Sequence, residues 1–380
     1  MFGSSPFLII SPPLIQSNII SIYLNMARAS TVEQDEAKQQ QVIEPHTAFC
    51  SRSVPDVIAP LRDALINEST PLAVRFRCLF SLKHHASLNP PDVTSVPAIE
   101  VIAEAFKSPS ALLKHELAYC LGQSKNLAAV PFLQQVLNDR QEDAMCRHEA
   151  AEALGAIGDT NCLSMLRLHL NDESAPVVVR ETCEIAIDRI EWAISDMRKK
   201  EKLKTSDFAS IDPAPPFAQD INKLSIPDLQ TKLLDRKLPL FERYRAMFAL
   251  RDLASPPDLP TAVQAVIALS SGFTDASALF RHEIAFVFGQ LSHPASIPSL
   301  VDVLSNLEEA SMVRHEAAEA LGSLGEEDGV EQVLRKFLND NEQVVRESVV
   351  VALDMAEYER SGSVEYATLP EAPLPTIVAS

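Results

Sequence analysis

The strongest constraint on this chain is that it contains itself twice. The segment RHEAAEALGAIGD, Arg147 to Asp159, returns as RHEAAEALGSLGE, Arg314 to Glu326, an offset of 167 residues. KHELAYCLGQ from Lys114 and RHEIAFVFGQ from Arg281 stand at the same offset, so His115 corresponds to His282 as His148 does to His315. Within each half the two copies lie 33 residues apart, enough for a helix, a turn and an antiparallel helix. One such unit cannot bury its apolar face alone, so neighbours must stack to make a continuous core.

Weaker copies flank the inner ones. RFRCLFSLK from Arg75 matches RYRAMFALR from Arg243, and VVRETCEIAI from Val178 matches VVRESVVVAL from Val344. Each half therefore holds four repeats, and the outer ones diverge as the caps of a solenoid do. With 46% apolar residues but 6% aromatic ones, the helices must pack through small side chains. Pro97, Pro131, Pro260 and Pro298 sit near helix starts, where a missing amide costs little. Gly122, Gly155, Gly289 and Gly322 close the second helices, where the spacing predicts left-handed caps. The expected fold is an all-α, HEAT-like helical-repeat solenoid of two pseudo-symmetric halves, four helical hairpins each. Its expected divisions are a disordered stretch or extension over 1–45, the first half over 46–196, a linker over 197–224, the second half over 225–360 and a disordered tail over 361–380. The linker reading rests on a charge run, three prolines and no helical periodicity between Met197 and Asp220.

A formal charge of −19 argues against a nucleic-acid partner, which would require excess Lys and Arg. An acidic chain suits a basic partner, though solubility alone also explains the charge. Cys50, Cys78, Cys120, Cys146, Cys162 and Cys183 show no CxxC spacing and read as buried thiols in a reducing compartment. The cytoplasm is expected, with the nucleus as a second location, and the chain is expected to be monomeric. Phe7 to Leu24 is apolar but carries Pro12 and Pro13 and lacks a basic flank, so neither a signal peptide nor a membrane span is expected. The first 25 residues are expected to be an extension ahead of Met26.

The candidate chemistry lies in His115-Glu116, His148-Glu149, His282-Glu283 and His315-Glu316, each at one register position of an inner repeat. Second helices of a solenoid line one face, so neighbouring pairs bring two imidazoles and two carboxylates together. Two such nests can face each other across a pseudo-twofold axis if the halves close on one another. Imidazole with carboxylate suits non-haem iron or manganese better than structural zinc. Adjacent His and Glu are about 100° apart around a helix. One Glu of each nest can therefore ligate while the other faces a pocket. Glu152 and Glu319, four residues after His148 and His315, fit orienting contacts better than ligation. His46, His84, His85, His169 and His293 have no repeat counterpart and receive no role. Much of RHEAAEALG is ordinary repeat consensus, so a metal-free scaffold and a metal-dependent hydrolase both remain as readings.

At these residues the sequence resembles the deoxyhypusine hydroxylases, a family of eight HEAT-like repeats in two halves with four His-Glu motifs. The likeness runs over about residues 46 to 358 and includes MVRHEAAEALG at Met312 to Gly322 and FRHE at Phe280 to Glu283. The resemblance implies an O₂-dependent monooxygenase with two Fe(II) ions per chain. Its substrate would be the aminobutyl side chain of deoxyhypusine on the translation factor that carries hypusine. It implies His115, His148 and Glu149 as iron ligands in one half, and His282, His315 and Glu316 in the other. Glu116 and Glu283 match the family's substrate-binding glutamates.

Overall fold

The computed structural model describes residues 54–201, 203, 206–217 and 224–361. The readings placed on 1–45, on His46 and Cys50, and on the tail beyond Ser361 lie outside them. Helical hairpins follow one another in sequence order. Repeat 1 is α1 (Val54–Ile66) and α2 (Leu72–Ala86), repeat 2 is α3 (Ser95–Glu104) and α4 (Ala111–Gln123), and repeat 3 is α5 (Val130–Asn138) and α6 (Ala144–Ile157). Repeat 4 is α7 (Leu163–Leu170) and α8 (Val177–Ile194), after which a single turn, α9 (Asp196–Lys200), leads into the inter-half segment. The second half repeats the plan: α10 (Ile226–Leu234) with α11 (Leu240–Ala254), α12 (Ala262–Ser270) with α13 (Ala278–Leu291), α14 (Ile297–Ser305) with α15 (Ser311–Gly322), and α16 (Val330–Arg335) with α17 (Gln343–Ser361). All regular structure among the described residues is helical.

The local causes are repeated as faithfully as the letters. Ser110 Oγ accepts from the Leu113 amide at the start of α4, and Ser277 Oγ accepts from the Phe280 amide at the start of α13, each satisfying an orphan helix donor. Arg75, Arg147, Arg243 and Arg314 are buried, and the Nε of each donates to the carbonyl ten residues earlier: Leu65, Leu137, Leu233 and Leu304. Each arginine thus ties the second helix of its hairpin to the end of the first. In α6 the buried run Ala150, Ala151, Ala153 and Leu154 gives the small, apolar face that lets the next hairpin approach.

One expectation is corrected. Gly122, Gly155, Gly289 and Gly322 lie inside their helices, and the left-handed glycines are Gly158 and Gly329. What Gly122 supplies is proximity. A Cβ there would stand 2.6 Å from Ala153 Cα, and one at Gly155 would stand 2.9 Å from Ala186 Cα.

The two halves close on each other at both ends. Ser110 Oγ donates to Glu347 of α17 at 2.7 Å, and its counterpart Ser277 donates to Glu181 of α8, also at 2.7 Å. Arg77 adds an ion pair to Asp354 across the first seam. The apolar cores follow: that of the first half takes in Val351 and Met355, and that of the second takes in Met145, Ile185 and Trp192. The second helices of all eight hairpins therefore surround one central axis.

The inter-half segment is also ordered where it is described. Helix α9 has no apolar period because charge and capping form it: Ser195 caps its start, and Arg198, Lys199 and Lys200 fill its last turn. Beyond it, Phe208, Pro213, Ala214 and Pro215 are buried. No helix among the described residues is long and apolar enough to cross a membrane, and the five described cysteines are buried free thiols.

Candidate metal centre

The four His-Glu pairs sit one turn into α4, α6, α13 and α15, and closure of the ring brings them together. All eight side chains are buried. The rings of His115 and His148 have centroids 5.3 Å apart at 45°, and those of His282 and His315 are 5.4 Å apart, also at 45°. Across the halves, His115 lies 5.7 Å from His282 and 5.3 Å from His315, and His148 lies 5.4 Å from His282. The carboxylates keep the same symmetry. Glu149 Oε2 is 3.3 Å from His115 Nε2, and Glu316 Oε2 is 3.4 Å from His282 Nε2.

Such a cluster is costly unless something cationic completes it. Both ring nitrogens of His148 and of His282, Nε2 of His115 and of His315, and one oxygen of Glu283 are buried without a hydrogen-bond partner. Burial, together with the charges of His115, His282 and His315, pushes His148 well below the usual imidazole range. His282 is lowered to about 3 by burial and by His115. For His115 burial acts in the same direction, but Glu149 and the other nearby carboxylates outweigh it and raise it to about 9. Burial raises Glu116 to about 8, with Glu319 adding to it, and pushes Glu316 and Glu283 well above the carboxylate range. A divalent cation would relieve both problems at once, accepting the imidazole lone pairs and balancing the carboxylates.

Three groups of side chains hold their ligand atoms within 4.8 Å of one another and could take a metal ion: His115 with His148 and Glu149, His115 with His282 and His315, and His315 with Glu316 and Glu319. The first is one of the two expected sets whole. The second expected set, His282, His315 and Glu316, is divided between the other two groups. Glu319 joins it through His315, whose Nδ1 is 3.7 Å from Glu319 Oε1. Ser348 Oγ steadies this corner, donating to Glu319 at 3.1 Å and lying 3.5 Å from His315 Nδ1. Its only trace in the sequence is that the aligned outer repeats carry a hydroxyl at one register position, Thr182 and Ser348. The donor set is nitrogen and oxygen. Cys120, 3.9 Å from Glu116 Oε1, is held well above the thiol range by burial and by the Glu116 charge, so it offers no thiolate.

Glu116 and Glu283 open onto a cavity of about 60 Å³, also lined by Glu152, Glu319, Tyr119 and Phe286. Tyr119 and Phe286 occupy the same register position and meet edge to face at 6.1 Å. Three of the unassigned histidines do structural work: His169 Nε2 lies 2.9 Å from Asn138 Oδ1, His293 caps its own turn, and His85 lies 3.0 Å from Thr94 Oγ1.

The HEAT repeat family matches residues 99–187 and 266–354, which span the three later hairpins of each half. A curated deoxyhypusine hydroxylase of Neurospora crassa is 68% identical over 314 residues, covering 83% of this chain and 97% of that one. That of Aspergillus niger is 68% identical over 327 residues, covering 86% and 97%. The chain belongs to the deoxyhypusine hydroxylase family. The solved structure of the human deoxyhypusine hydroxylase in complex with glycerol is similar in fold, with a TM-score of 0.70 at 41% identity over 80% of this chain and 97% of that one. Membership of this family makes the chain an enzyme and sets aside the scaffold reading. It also gives the buried imidazoles and carboxylates a reason to be where a scaffold would put alanine and leucine.

Proposed function

We propose that the chain hydroxylates the aminobutyl arm of deoxyhypusine on a protein substrate, with two Fe(II) ions held by six of its eight His-Glu side chains and O₂ as co-substrate. The observation that carries this reading is the ring of four buried imidazoles, 5.3–5.7 Å apart and largely without hydrogen-bond partners, interleaved with carboxylates. His115, His148 and Glu149 would hold one ion, and His282, His315 and Glu316 the other. Two-histidine, one-carboxylate sets leave positions open and suit Fe(II). When bound, the iron pair supplies the redox chemistry that activates O₂ toward an unactivated C–H bond.

The chain's own groups do the rest. The walls from Tyr119, Phe286, Val351 and Met355 exclude water and accept methylenes. Glu116 and Glu283 would face the cationic arm, where a charge-assisted hydrogen bond fixes which carbon stands over the metals. Glu319 with Ser348 would hold the His315 ring in place, as second partners of ligating histidines do. The domain divisions stated above are carried forward on the same footing, with the inter-half segment bridging two four-hairpin halves.

The test is to load the protein anaerobically with Fe(II), count iron per chain, admit air and follow the substrate protein by mass spectrometry. Two irons and a gain of one oxygen on deoxyhypusine are expected; a metal-free chain, or iron-loaded protein that leaves deoxyhypusine unchanged, would sink the reading.

A further inference from the structure

Duplication makes two of everything around the axis, and that includes the clefts beside the metal centre. One lies where α17 meets α2, the other where α8 meets α11. Val351 and Met355 of the first correspond in repeat register to Ile185 and Arg189 of the second, and Glu319 corresponds to Glu152. The two clefts are not alike. The first belongs to the cavity of about 60 Å³ that Glu116 and Glu283 also line. Of the second only about 10 Å³ remains, lined by Glu152, Ile185, Arg189 and by Pro213 from the inter-half segment.

The segment is strapped down by groups that single out this side. Arg189 Nε donates to the Asp212 carbonyl at 3.1 Å, and Arg251 pairs with the Asp212 carboxylate at 2.9 Å. The Phe208 ring lies beneath the Arg251 guanidinium, 4.4 Å away. Gln123 and Gln290, register partners at the ends of the two helices that carry His115 and His282, also hold it. Gln123 accepts from the Ile211 amide at 2.8 Å, and Gln290 donates to Ser210 Oγ at 2.7 Å. On the other side the positions of Arg189 and Arg251 are taken by Met355 and Lys83, and no residue in the place of Pro213 is among the described residues lining that cavity.

We infer that the strap makes a symmetric centre one-sided: the substrate's aliphatic arm reaches the metals only through the cleft of α2 and α17, past Val351 and Met355, while the cleft of α8 and α11 is sealed. This rests on the function proposed above. Glu116, Glu283 and Glu319 all line the cavity reached through that cleft, which makes them the carboxylates met by the incoming ammonium. The apolar walls suit four methylenes, and the paired carboxylates suit the cation at their end.

The experiment places one thiol in each cleft at matched positions, Val351→Cys and Ile185→Cys, in iron-loaded full-length protein, with wild type giving the background from native cysteines. Met355→Cys stands in if Val351→Cys does not fold. A methanethiosulfonate reagent is expected to modify the thiol at position 351 and not the one at 185. Modification at 351 should leave iron content unchanged and weaken binding of a deoxyhypusine-bearing peptide about tenfold or more, with reduction restoring it. Equal modification of both thiols, or a modified position 351 that leaves peptide binding unaltered, overturns the inference. If unmodified protein ignores the peptide while the labelling remains one-sided, the substrate assignment falls and the sealed cleft stands.

Discussion

Replacing Gly122 by alanine tests whether close approach of the hairpins is what builds the metal centre. The added Cβ would sit 2.6 Å from Ala153 Cα and 2.7 Å from Ala153 Cβ. Carbon atoms rest near 3.5–4.0 Å, so α4 and α6 must part by about 1 Å. Overpacking of this kind costs about 1–3 kcal/mol, and the obstacle here is main chain, which cannot swing aside, so the upper end applies. Alanine's helix propensity returns at most about 1 kcal/mol, leaving a net loss of about 2 kcal/mol. The same displacement separates His115 on α4 from His148 and Glu149 on α6, and metal–ligand distances tolerate only about 0.2 Å. Gly122→Ala should therefore lose iron from the first half as well as stability. Gly158→Ala is the control: φ is +80° and nothing lies within 4 Å, so it should cost about 1–2 kcal/mol of backbone strain and keep its iron. Urea unfolding and iron content after desalting give both numbers. A Gly122→Ala protein with wild-type stability and full iron would refute the packing argument.

Substituting His148 by alanine should abolish iron retention, whereas Glu116→Ala should keep iron and weaken substrate binding. Iron loss in the Glu116 variant would overturn that division of roles, and metal analysis beside peptide binding decides it. Arg314→Ala removes a buried guanidinium that donates to Leu304 O at 3.0 Å and to both oxygens of Asp340 at 3.0 and 2.5 Å, and should cost about 3–5 kcal/mol. The hydrogen bond from Arg314 holds the Asp340 carboxyl below the usual carboxylate range. The stabilisation from that shift is whole above about pH 4 and is lost as pH falls through the depressed value. Denaturation midpoints should thus converge between wild type and variant in acid, and a constant gap down to low pH would count against the pair. Stripping bound metal with a chelator should lower stability by about 4 kcal/mol relative to protein held at 1,000 times Kd in free metal. Identical unfolding curves with and without chelator would mean that the cluster does not hold the ion in the native state.

How much of this was legible in the sequence depends on whether a feature obeys the repeat. Arg75, Arg147, Arg243 and Arg314 make one bond four times, and repetition of the packing is what preserved the letters that revealed the hairpins. The His-Glu pairs were visible for the same reason: one register position in a solenoid is one place on its inner face. The glycines were misread because a glycine at a helix end answers two different needs, a positive φ or the absence of a Cβ, and the letter is the same for both. Gly158 meets the first and Gly122 the second. Glu319 entered a ligand group that its mate Glu152 does not join. The difference lies in Ser348, whose hydroxyl turns to Glu319, against Thr182, whose hydroxyl turns back to its own helix at Val178 O. An alignment of the halves cannot display that choice, since it records the hydroxyl and not its rotamer. The strap was hidden more completely. Asp212 and Pro213 have no duplicate to be aligned with, so no self-comparison of the sequence could place them against α8. Duplication fixes what the halves share, namely the ring, the nests and the paired clefts. A direction of approach requires the halves to differ, and residues outside the repeat supply the difference.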